Sequence, residues 1–305
     1  MKGNSSKRKG RRSVNGILLL DKPPGITSNE ALQRAKHAYN ARKAGHTGSL
    51  DPIATGLLPL CFGEATKASS FFLDADKRYR TLLKLGESTD TGDAEGRILA
   101  QRPVDVSGED IAQVVQGFYG AIDQIPPMYS AVKRDGQPLY KLARQGIEVE
   151  RKPRRVRVHD LQWARRNTHH LKLDIHCSSG FYVRGLAHEI GELLGCGAHV
   201  AELRRVGVGR FDVEDAIALD RICATADLVE LGNYLIPVDE GLRHLPDVRL
   251  STDAAYYLCR GQPVRAADLP KHGWVRLYAD GAGFLGIGKI LSDGRVAPKR
   301  LFHTT

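Results

Sequence analysis

The sequence predicts an α+β protein carrying a small β-barrel-like unit at its C-terminus. Strand-like and helix-like segments mix irregularly up to about Pro246, without the regular alternation of a parallel α/β sheet. From Asp247 onward, short apolar runs are separated by Asp280-Gly281 and Asp293-Gly294, both strong hairpin-turn dipeptides. The 305 residues suffice for one large core plus a smaller domain, and no internal repeat is visible.

The elements follow in order. Val14 to Leu20 reads as a strand, closed by the turn Pro23-Pro24-Gly25. Thr27 and Glu30 have capping-box spacing and open a helix towards Tyr39. A glycine-rich loop spans Gly45 to Gly56, Lys77 to Leu85 is a strand, and the Asp/Gly/Thr-rich stretch to Gly96 is a loop. Pro126 to Arg151 mixes Pro, Gly, Tyr, Lys and Arg without periodicity, a basic insertion with a helical piece at Leu139 to Ala143. Residues 151–157 then hold five cations in seven positions. Leu171, Leu173, Ile175 and Cys177 alternate with Lys172, Asp174 and His176, a half-buried strand. Val183, Leu186, Ile190 and Leu193 recur at helical spacing, and Thr252 to Arg260 is a short helix. The expected division is a disordered basic tail over 1–13, a main domain over 14–246 and the C-terminal unit over 247–305.

Composition narrows the class. Lys and Arg number 45 against 35 Asp and Glu, a formal +10, which suits a polyanion or an acidic membrane surface. The tail holds Lys2, Lys7, Arg8, Lys9, Arg11 and Arg12 without one acid, a solvated end or an RNA-touching arm. No apolar run reaches the ~18 residues of a membrane span. The five cysteines are dispersed, with no Cys-x-x-Cys pair, which fits a reducing, cytoplasmic setting rather than a disulfide framework. Cys196 and His199 have ligand-like spacing but lack the second pair that a zinc site requires.

Two motif matches are decoys. Gly281, Gly283 and Gly286 fit the dinucleotide pattern Gly-x-Gly-x-x-Gly, yet only 19 residues follow, too few for the helix and second strand. Ser130 and Lys133 fit Ser-x-x-Lys, but the companion Ser-Asp-Asn and Lys-Thr-Gly motifs are missing.

The most informative segment is the loop from Gly45 to Pro59. Its glycines permit close backbone approach, and Pro52 biases Asp51 towards an extended conformation that presents its carboxylate. This loop resembles the catalytic loop of the bacterial tRNA pseudouridine-55 synthases. The likeness extends to Val14-Asn15-Gly16-Ile17 through Asp21-Lys22-Pro23, to Lys77-Arg78-Tyr79-Arg80-Thr81 and to Gly180-Phe181-Tyr182-Val183-Arg184. Gly195-Cys196-Gly197-Ala198-His199 through Leu203-Arg204-Arg205 match as well.

The resemblance implies a mixed, mainly antiparallel central sheet flanked by helices, with a PUA-like RNA-binding barrel behind it. It also implies an isomerase that breaks the N-glycosidic bond of a T-loop uridine (position 55), rotates the base and rejoins it through C5. Every atom is conserved and no cofactor is expected. By resemblance Asp51 is the catalytic carboxylate, attacking C1′ or removing a 2′ proton, and Arg184 is its bidentate ion-pair partner. Tyr79 stacks on the everted base, while Tyr182 and Leu203 line the uracil pocket. His46 fills the vacated space or contacts the flipped nucleotide, and Lys22 contacts substrate or supports the loop. Residues 126–151 align with a flexible thumb that clamps RNA. The expected partner is tRNA, through its T-loop and acceptor stem, with no membrane and no obligate protein partner, the enzyme working as a monomer. A non-catalytic RNA chaperone, a base-releasing glycosylase and a guide-RNA-dependent synthase are the rival readings.

Overall fold

The computed structural model describes residues 10–302, so most of the predicted basic tail, residues 1–9, lies outside the described residues. The last tail residues are anchored: the Arg12 amide donates to the Asn40 carbonyl at 2.7 Å and the Arg12 carbonyl accepts from Arg42 at 2.9 Å.

The first strand, β1 (Gly16–Lys22), begins two residues later than its hydrophobic run suggests. Its unbroken Ile17-Leu18-Leu19-Leu20 run is buried on both faces, as expected of a central strand. After β1, Thr27 caps α1 (Ser28–Ala38), accepting from the Glu30 amide at 3.1 Å. Glu30 does not complete the capping box; its carboxylate pairs with Arg34, one turn on.

The glycine-rich segment is a loop held between two strands, β2 (Ala44–His46) and β3 (Thr55–Phe62). β3 runs antiparallel to β1 from Gly16↔Phe62 to Lys22↔Gly56. There follow β4 (Lys77–Leu85), α2 (Gly108–Gln116), β5 (Gly120–Gln124), β6 (Arg154–Asn167), β7 (His170–Cys177), α3 (Val183–Leu193) and β8 (Ala198–Val208). The stretch expected as loop up to Gly96 includes one strand of a small hairpin, Glu87–Thr89 paired with Ile98–Gln101.

These strands build one sheet in the order β1-β3-β8-β4-β7-β6-β5, antiparallel except where β3 meets β8. Leu18 and Leu20 face a core completed by Ala31 and Leu32 of α1, Ile111 of α2 and Leu186 and Ile190 of α3. Ile17 and Leu19 face the other way, onto Phe72, Phe211 and Leu242. Each fully buried Leu or Ile contributes about 1.5–3 kcal/mol, so both faces are held by burial rather than by propensity.

The second edge of β3 is split. β2 takes Leu60 to Phe62, and β8 takes Thr55 and Gly56. Between these two pairings the side chain of Arg205, from β8, donates to the Leu57 carbonyl at 2.7 Å, and the Thr47 amide donates to Pro59 at 3.1 Å. An arginine thus satisfies a carbonyl that has no strand partner. The packing is close enough that a Cβ on Gly56, where φ is +99°, would lie 2.3 Å from the Arg205 carbonyl oxygen. Gly56→Ala is therefore expected to destabilise the protein by about 3 kcal/mol or more. Urea denaturation measures this, and a loss under about 1 kcal/mol would show that the strand junction yields easily.

The C-terminal part is a four-stranded sheet: β9 (Asp247–Leu250) lies parallel to β10 (Gly273–Ala279), and β11 (Gly283–Ile290) and β12 (Val296–Leu301) follow as a meander. Asp280-Gly281 and Asp293-Gly294 fall between those strands, so the Gly-x-Gly-x-x-Gly match is a turn running into a strand. Val248, Leu250, Leu258, Val275 and Leu277 form its own small core. Ile287 instead joins the cluster around Ile17 and Phe72, attaching this sheet to the main one.

Candidate active site

The loop between β2 and β3 is pinned at several points. Ser28, at the start of α1, donates through Oγ to the Leu50 carbonyl at 3.0 Å and accepts from the Leu50 amide at 2.7 Å. The Lys22 ammonium donates to the carbonyls of Pro23, Ile26 and Pro52 at 2.8, 2.7 and 3.2 Å. Arg205 donates to the Gly48 carbonyl at 3.1 Å. Within this frame the Asp51 carbonyl closes a turn by accepting from Ala54 at 3.1 Å, which leaves its carboxylate to project into a cleft. Loop rigidity therefore rests on side chains reaching backbone carbonyls.

Those contacts bear on the two roles implied for Lys22. It is 0% exposed and surrounds itself with carbonyl oxygens, so substrate contact is closed to it and loop support remains. Burial lowers its pKa to about 8, with the Asp51 charge opposing that fall.

Asp51, Arg184, Tyr79, Tyr182, Leu203 and His46 all line one cleft of about 460 Å³. That volume falls within the range of small-molecule sites, and a nucleoside fits it. Arg184 comes from the first turn of α3 and is 6% exposed. Its Nε lies 2.9 Å from Asp51 Oδ2. The pair is single-pronged, not the expected fork, because the other guanidinium nitrogens are engaged elsewhere. Nη1 donates to the Thr91 carbonyl at 3.0 Å and Nη2 to the Tyr129 carbonyl at 2.6 Å. Asp93 Oδ2 lies 3.7 Å from Nη1. The guanidinium is thereby held in place from both sides of the cleft, and only Nε faces Asp51.

Desolvation in the cleft pushes the Asp51 carboxyl above the usual range, and the Asp93 charge pushes it further. Arg184 and then Lys22 pull it down without cancelling the rise. Arg184 thus favours the ionised acid, but burial has the larger influence.

Tyr79 sits half-buried on β4, opposite Arg205 in the ladder, where burial raises the pKa of its hydroxyl and the smaller influence of the Arg205 guanidinium charge lowers it. Its flanking arginines turn to the other face, Arg78 pairing with Asp212 at 2.9 Å and Arg80 with Asp174 at 3.0 Å. Tyr182 precedes α3; its amide donates to Gln124 Oε1 at 2.8 Å, and its carbonyl accepts from Gln124 Nε2 at 2.9 Å. Leu203 is 8% exposed at the cleft wall. His46 is half-buried, with Nδ1 shielded and lacking a hydrogen-bond partner. Burial and then the Arg205 charge lower its pKa, which favours a neutral ring at physiological pH.

Sequence reasoning missed Arg205, Asp93 and Gln124. Arg205 carried a signal: Leu203 and Arg205 share one face of β8, so a pocket-lining Leu203 turns Arg205 inward as well. A second lobe of about 550 Å³ adjoins the cleft at Asp51, where Tyr129 to Ala131 and Tyr140 from the basic insertion form its wall. Among the described residues, Cys196 and His199 do not form a metal site. Both are buried, and His199 Nδ1 lies against the Glu87 carbonyl at 3.2 Å.

The loop carboxylate of Asp51 facing the helix-borne Arg184, beside a mainly antiparallel sheet, is the arrangement that the resemblance to the pseudouridine synthases implies. Residues 36–183 match the TruB family pseudouridylate synthase N-terminal domain. Residues 184–243 match the tRNA pseudouridylate synthase B C-terminal domain, and 246–302 the C-terminal domain of pseudouridine synthase II TruB. A protein of Nitrosococcus oceani described as tRNA pseudouridine synthase B is 53% identical, covering 96% of both chains. One of the same description from Pseudomonas aeruginosa is 52% identical over 96% of this chain and 98% of its own. A solved Cbf5-Nop10-Gar1 complex contains a chain with a TM-score of 0.72 and 27% identity, the match covering 94% of this chain and 85% of that one. The chain belongs to the TruB family of pseudouridylate synthases.

Proposed function

We propose that the protein isomerises uridine 55 in the T-loop of tRNA to pseudouridine, with Asp51 as the carboxylate acting at the ribose. Membership of its family, and relatives described as tRNA pseudouridine synthase B, support uridine in tRNA as the substrate. The Asp51–Arg184 contact inside a nucleoside-sized cleft carries the residue assignment.

The geometry suggests a division of labour. The T-loop uridine is everted at a cost of a few kcal/mol, and its base enters beside Tyr79, Tyr182 and Leu203. A neutral His46 at the junction of the two lobes suits insertion into the vacated stack better than phosphate pairing. Asp51, ionised and fixed by Arg184 Nε, attacks C1′ or takes the 2′ proton; either route needs the carboxylate form. The insertion 126–151 acts as a thumb over the T-loop, and its cations face the phosphate backbone. Residues 247–305 act as a PUA-like domain reaching the acceptor stem.

The test uses an unmodified tRNA transcript carrying tritium at uridine C5. Wild-type protein is expected to release tritium stoichiometrically from position 55 while RNA length and mass are otherwise conserved. Release of free uracil with an abasic site would instead establish a glycosylase, and absence of both a binding protein.

A further inference from the structure

Away from the cleft, three side chains from separate segments converge on one surface point. They are Asp76, directly before β4, His159 of β6 and His176 of β7. His159 Nε2 lies 3.2 Å from Asp76 Oδ2, and His176 Nε2 lies 4.0 Å from the same oxygen. The two imidazole centroids are 4.8 Å apart.

An irregularity of the sheet produces this arrangement. β6 and β7 pair Val158 with Cys177 and Asp160 with His176, leaving His159 as the extra residue of a bulge. In a regular ladder, neighbours on a strand face opposite ways; a bulge re-aims one side chain. Here it brings His159 beside His176. Asp76 is fixed from below, its carbonyl accepting from the Gly209 amide at 2.8 Å, with Lys77 already in register against Cys177.

We propose that Asp76, His159 and His176 form a binding site for zinc or a similar transition-metal dication, with a fourth position left to water. Two imidazoles and one carboxylate are a donor set for Zn²⁺, whereas the hard cations Mg²⁺ and Ca²⁺ take oxygen ligands. Zinc bonds of about 2.0–2.2 Å in a tetrahedron put neighbouring donors about 3.4 Å apart. The donor atoms here lie within 4.8 Å of one another, on side chains 31–47% exposed and so free to rotate the remaining ångström. An ion pair would need only one imidazole; the second, 4.0 Å from the same carboxylate oxygen, adds a third donor within reach of a common point. Asp76 and His176 also line a groove of about 900 Å³ between the two sheets, which gives the fourth position access to solvent.

The experiment titrates the full-length, tag-free protein with Zn²⁺ by calorimetry and with Co²⁺ by visible absorption. One equivalent is expected to bind, and Co²⁺ should give the d–d bands of a four-coordinate site, lost on adding Zn²⁺. His159→Gln and Asp76→Asn should each weaken binding at least tenfold. His244→Gln, in the same groove but outside the triad, should bind as wild type does. Circular dichroism on each variant establishes that it is folded, and Asp76→Asn alone suffices if a histidine variant is not. Absence of saturable binding in the wild type, or unchanged affinity in the folded triad variants, would overturn the proposal.

Discussion

Asp51→Asn is expected to abolish pseudouridine formation, lowering turnover by about 10⁴-fold or more, while tRNA affinity stays near wild type. The amide is nearly isosteric, so it preserves the cleft, but it can neither attack C1′ nor accept a 2′ proton. Because Asp51 approaches Arg184 through Nε alone, the guanidinium keeps its bonds to Thr91 and Tyr129 in the variant. Tritium release together with filter binding separates the two effects. Appreciable release by the variant would remove Asp51 from the chemistry.

The same residue sets two pH dependences of opposite sense. The folded-state pKa of Asp51 is raised, chiefly by desolvation. In the proposed reaction the ionised form acts, so kcat/KM should fall as pH drops through a value above the ordinary carboxylate range. For stability, a raised pKa means that the folded state binds more protons than the unfolded one between the ordinary and the raised pKa. Stability is then lost as pH rises across that window, and the deficit persists above it. Above that window the Asp51 charge thus opposes folding, and Asp51→Asn should there melt no lower than wild type. A marked fall in Tm for the variant would contradict that sign. The cleft keeps a charged group that the fold alone does not favour, as is usual for catalytic groups.

Legibility in the sequence followed the physical origin of each feature. Strands such as Lys77–Leu85 and His170–Cys177 were readable because half-buried strands alternate, and burial enforces that period. The helices starting near Ser28 and Val183 were readable from a cap and an apolar stripe. Asp51 and Arg184, far apart in sequence, were joined by resemblance to a family; no periodicity links a loop acid to a helix arginine. Lys22, Lys77 and Arg205 were the residues least open to pattern reading. Charge places such side chains outside, whereas here each is buried against carbonyls: Lys22 on Pro23, Ile26 and Pro52, Lys77 on Leu73 and Ala75, Arg205 on Leu57 and Gly48. Those carbonyls belong to loop and junction backbone, whose unmet acceptors become known only once the chain is folded. The bulge at His159 does mark the pattern, since the buried positions of β6 step from Val156 to Val158 and then to Leu161, three on instead of two.

Arg184→Lys should lower turnover by about 10²-fold or more at nearly unchanged tRNA affinity, since a lysine keeps the charge but loses the geometry. Arg184 serves Asp51 through Nε, Thr91 through Nη1 and Tyr129 through Nη2, three directions fixed by one planar group. An ammonium reaches one of these partners at a time. Left with a choice, it is drawn between Asp51 and Asp93, two carboxylates on the same cation. Either choice leaves a buried acceptor without a donor, and the Tyr129 carbonyl is the one tied to the basic insertion. The defect should therefore appear in kcat rather than KM. Its acid limb should move to higher pH, because an ammonium drawn towards Asp93 gives up the hydrogen bond and part of the nearby charge with which Arg184 lowers the Asp51 pKa. A pH profile of single-turnover rates distinguishes this from general destabilisation, which would scale the profile without moving it. A variant with wild-type turnover, or with an acid limb unmoved, would show that Asp51 is oriented by the loop contacts of Lys22, Ser28 and Arg205 instead.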